Sequence, residues 1–79
     1  MSITDQAIQG AALDQNVRNL LQKINDGAAT AIDINATNMG LAEKDICREL
    51  LASTATRVSI ESRAVSLPFK TIALSIANV

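Results

Sequence analysis

Leu13-Asp14-Gln15-Asn16-Val17-Arg18-Asn19-Leu20-Leu21-Gln22-Lys23-Ile24-Asn25-Asp26-Gly27 carries the strongest periodic signal in the chain. Leu13, Val17, Leu20, Leu21 and Ile24 fall alternately four and three residues apart, which lines them along one stripe of a helix. Asn25-Asp26-Gly27 follows directly, and these residues tolerate a left-handed backbone and hydrogen-bond their own main chain. The helix is expected to stop there.

Upstream, Ser2 followed by Asp5 is a loose form of the capping pair, so the first helix is expected to begin near Ile3. Downstream, a second helix is expected from Ala28 or Ala29, after a short antiparallel turn. Its stripe runs through Ile32, Ala36, Met39, Ile46 and Leu50, with a companion row at Cys47, Leu51, Thr54 and Val58. Gly40 costs such a helix only about 1 kcal/mol, so the helix either continues to about Ser66 or breaks at Asn38-Met39-Gly40.

Pro68 biases Leu67 toward extended geometry and is expected to end the long helix near Ser66. Beyond it, Phe69, Ile72, Ala73 and Ile76 suit a helix face, whereas Ile72, Leu74 and Ile76 suit a strand face. Val58 and Ile60 also alternate. The fold class expected is all-α, a helical hairpin or small three- to four-helix bundle; the alternative is mainly α with a short C-terminal β-hairpin. The sequence reads as free of internal repeats and low-complexity linkers, so a single helical domain, 1–79, is expected.

A chain of 79 residues buries only about 60% of its unfolded surface and commonly needs a disulfide, a metal or a partner. One cysteine, Cys47, and no histidine remove the first two, and no cofactor is expected. The hydrophobic share is 48%, yet 13 of those residues are alanine and Phe69 is the single aromatic. This favours close helix packing over a thick core. Net charge is -1, which gives no field for phosphate backbones or anionic membranes, so neither nucleic acid nor membrane is an expected partner. The N-terminus lacks a basic region followed by an apolar stretch, and no apolar run reaches about 20 residues. A cytoplasmic location is expected, with leaderless export left open.

Catalysis has little to work with. Proton transfer most often uses histidine, which is absent, and Cys47 beside Ile46 reads as a small buried residue. Asp45 and Glu49 lie one turn apart, but Lys44 and Arg48 interleave with them as on a solvated helix face. Gly10, Gly27 and Gly40 stand singly, so no phosphate-cradling loop exists. No enzymatic activity and no small-molecule substrate are expected. Arg57, Arg63 and Lys70 make the C-terminal section locally basic.

Helices of about 24 and 38 residues would span about 36 and 57 Å, so a hairpin of such unequal arms leaves an overhang. Val58, Ile60, Val65, Leu67, Phe69, Ile72, Leu74 and Ile76 would lie there as a protein interface. Residues 1–40 carry -2 and residues 41–79 carry +1, a polarity that suits head-to-tail contacts closing into rings or running on as filaments. A self-assembling, non-enzymatic structural subunit, a homo-oligomer or filament, is the expected role. The alternative is a helical adaptor or regulator for an unlike protein. Ile3-Thr4-Asp5, Gln15-Asn16-Val17 and the Ala, Thr and Asn content resemble the small proteins that polymerise into bacterial R-bodies. That likeness covers a few residues, the spacing between them departs from the family, and no function is carried across.

Overall fold

The computed structural model describes residues 13–52 and 56–77. The stripe of Val17, Leu20, Leu21 and Ile24 forms α1, Gln15–Asn25, and all four are buried. Asp14 caps it by accepting the Asn16 N–H at 2.8 Å, so this helix begins at Gln15 and is not continuous from Ile3. The expected start near Ile3 lies outside the described residues. At the other end Gly27 takes φ +75°. Its N–H donates to the Ile24 carbonyl and that of Ala28 to the Lys23 carbonyl, the double closure that a left-handed residue after a helix permits.

The next helix, α2, Ala31–Ala36, starts later than Ala28 because Thr30 and Asp33 form a reciprocal capping box. The Thr30 N–H and hydroxyl both donate to Asp33 Oδ2, and the Asp33 N–H donates to Thr30 Oγ1. These bonds, first that of the Thr30 backbone, hold the Asp33 carboxyl below its ordinary value, with Lys23 assisting. A depressed carboxylate contributes stability that is present above its unfolded pKa and lost as pH falls through the lower folded value. Wild type is therefore expected to exceed Asp33→Asn in urea midpoint at pH 7. The gap should close below about pH 4, as followed by circular dichroism.

The expected long helix from Ala28 to Ser66 does not form. The chain instead builds α2, then α3, Leu41–Ala52, then α4, Thr56–Glu61, then α5, Leu67–Ala77. The break at 37–40 matches the Asn38-Met39-Gly40 alternative, and a second break falls at 62–66. With principal extents of 25 × 25 × 23 Å, the molecule has no room for a 57 Å arm. Pro68 begins a helix and does not merely follow one: it occupies the first turn of α5, where its missing N–H has no partner to lose. The C-terminal β-hairpin is thereby overturned, and no strand occurs among the described residues. Phe69, Ile72 and Ala73 share the buried face of α5.

Contrary to the reading of the sequence as repeat-free, the structure reveals a 26-residue repeat. The short-helix and long-helix pair α2 and α3 recurs 26 positions later as α4 and α5. Ile34 and Ile60 are both fully buried, as are Ile46 and Ile72, and Cys47 and Ala73. Even the polar stitching repeats. Lys44 Nζ donates to the Asn35 carbonyl at 3.3 Å, and Lys70 Nζ donates to the Glu61 carbonyl at 3.4 Å, each placing a cation at the carbonyl end of a short helix.

The register extends back into α1, where Leu20, Leu21 and Ile24 are buried at the positions of Ile46, Cys47 and Leu50. The three long helices α1, α3 and α5 each contact the other two. This is the arrangement of three equivalent long helices around a shared core. It differs from a stacked solenoid, in which the first and third units would be apart.

Candidate protein-interaction surface

The core closes over much of the expected interface. Ile60, Phe69 and Ile72 are buried within one copy, and Val65, Leu74 and Ile76 are partly buried against the same cluster. The overhang that would have exposed them is absent because α4 and α5 fold back on α3. Val58 and Leu67 remain outside, at 72% and 73% exposure.

Two further aliphatic residues join them, Ile32 at 78% and Leu41 at 79%, with Leu51 half exposed. Ile32 and Ile34 sit two apart on a six-residue helix, so they cannot face the same way. Ile34 goes inside and Ile32 outside. Val58 and Ile60 repeat that choice on α4. Leu41 and Leu67 are the first residues of α3 and α5 and stand one turn before Lys44 and Lys70. The four exposed side chains are thus two copies of one pair. The equivalent position in α1 holds the exposed Gln15.

Charge differs between the two pairs' surroundings. Residues 30–52 carry Asp33, Glu43, Asp45 and Glu49 against Lys44 and Arg48, a net -2, whereas residues 56–77 carry Arg57, Arg63 and Lys70 against Glu61, a net +2. One charge of each is consumed where Arg63 meets Glu49 at 2.9 Å, and Lys23 of α1 pairs with Asp33 at 3.4 Å, so the first section is left neutral and the second at +1.

That ion pair belongs to a part-buried cluster. Ser59 Oγ and Arg63 both donate to Glu49 Oε1, and the Thr56 hydroxyl donates to the Glu49 backbone carbonyl. The cluster fastens α4 to α3.

Cys47 is fully buried, and burial pushes its thiol up to about 12, against the pull of Arg48 and with a smaller push from Glu43. A thiol held protonated is a poor nucleophile and metal ligand. Among the described residues, no three of His, Cys, Asp and Glu come together to hold an ion. An open groove of about 500 Å³ lies between α1 and α2, with Asn16, Asn19, Lys23, Asp33 and Thr37 on its walls. Lys23 and Asp33 pair across it at 3.4 Å, so its charged groups already satisfy each other. Among the described residues no helix is long and apolar enough to cross a membrane. No family model, curated protein or solved structure matches the chain.

Proposed function

We propose that this chain is a non-catalytic protein-interaction module, a small helical subunit that associates first with copies of itself. The observation that carries this reading is the pair of equivalent sites at Ile32 with Leu41 and at Val58 with Leu67, where four large aliphatic side chains stand in water while a well-filled core lies beneath. Single exposed aliphatics are common on any surface. Their recurrence at matching positions of two units is what argues for a docking role. The absence of histidine, the protonated buried thiol and the arginine-bound Glu49 weigh against catalysis.

Light scattering of the purified chain tests the reading. The weight-average mass is expected to rise above 8.3 kDa as concentration climbs through a micromolar to millimolar range of roughly 10 μM to 1 mM, the span suited to a small interface. A mass fixed at that of one chain throughout would remove self-association and leave the adaptor for an unlike protein as the surviving reading.

A further inference from the structure

We draw no further inference here: the strongest candidate, the exposed aliphatic surface of Ile32 on α2, Leu41 on α3, Val58 on α4 and Leu67 on α5, already carries the proposed function, and nothing in the structure shows what covers it.

Discussion

Replacing Phe69 with alanine is expected to remove about a quarter or more of the chain's stability. Phe69 is the only aromatic residue and is 1% exposed, among Ile72, Ala73 and the residues of α1 and α3 that close the core. Phe-to-Ala changes in a core cost about 3–5 kcal/mol, part of it lost transfer energy and part the cavity left behind. A domain of this length has a total stability of only about 4–12 kcal/mol. The alanines around the core have no side-chain length with which to fill the gap. Denaturant unfolding followed by circular dichroism should show a midpoint lower by that energy or no cooperative transition at all. A midpoint within about 1 kcal/mol of wild type would mean that Phe69 does not sit where the structure puts it.

The second large effect is alkaline destabilisation through Cys47. Its thiol is raised to about 12 in the folded protein, against an unfolded value near 8.5. The sign follows from proton binding. The unfolded chain gives up this proton first, so the stability contributed by the buried neutral thiol is complete below about pH 8.5 and is lost as pH rises toward the folded value.

Between pH 8.5 and pH 10.5 the loss should be on the order of 2 kcal/mol, as the slope climbs toward about 1.4 kcal/mol per unit. Cys47→Ala should abolish most of that slope while costing about 1 kcal/mol at pH 7, because the equivalent position in the next unit is the equally buried Ala73. Equal pH slopes for wild type and variant, measured by urea unfolding, would show that the thiol is not desolvated.

The legible part of the fold was the part written in side-chain periodicity and turn chemistry. The stripe from Val17 to Ile24 and the stop at Gly27 appear in the structure where the residues indicated. The helical reading of Phe69, Ile72 and Ala73 also holds. What misled was continuity: apolar spacing carried through residues 28–66 as if one helix ran there. The capping box of Thr30 with Asp33 fixes the start of α2 and the first-turn proline that of α5, while the breaks within the stretch fall at 37–40 and 62–66.

The 26-residue repeat was hidden because it lives in burial and stitching more than in identity. Between residues 30–52 and 56–77 the matching letters include Thr30 with Thr56, Ile34 with Ile60, Leu41 with Leu67, Lys44 with Lys70 and Ile46 with Ile72. Elsewhere Cys47 answers to Ala73 and Met39 to Val65, substitutions that keep a small or apolar side chain inward. Of the interface residues expected from the sequence, Val58 and Leu67 kept their exposure. Ile60, Phe69 and Ile72 lost theirs for one reason, the fold-back of α4 and α5. Ile32 could have been found earlier, since two isoleucines spaced by two on a short helix force one outward.

A concentration series of amide nitrogen–proton spectra tests the docking surface most directly, because it reports each residue separately. Peaks of Ile32, Leu41, Val58 and Leu67, with Asp33 and Arg57 beside them, are expected to move together as concentration rises, while those of the buried Leu21, Ile46 and Ile72 and of the exposed Gln15 stay in place. Spectra that do not change with concentration, or changes confined to the groove of Asn16, Asn19 and Thr37, would contradict it.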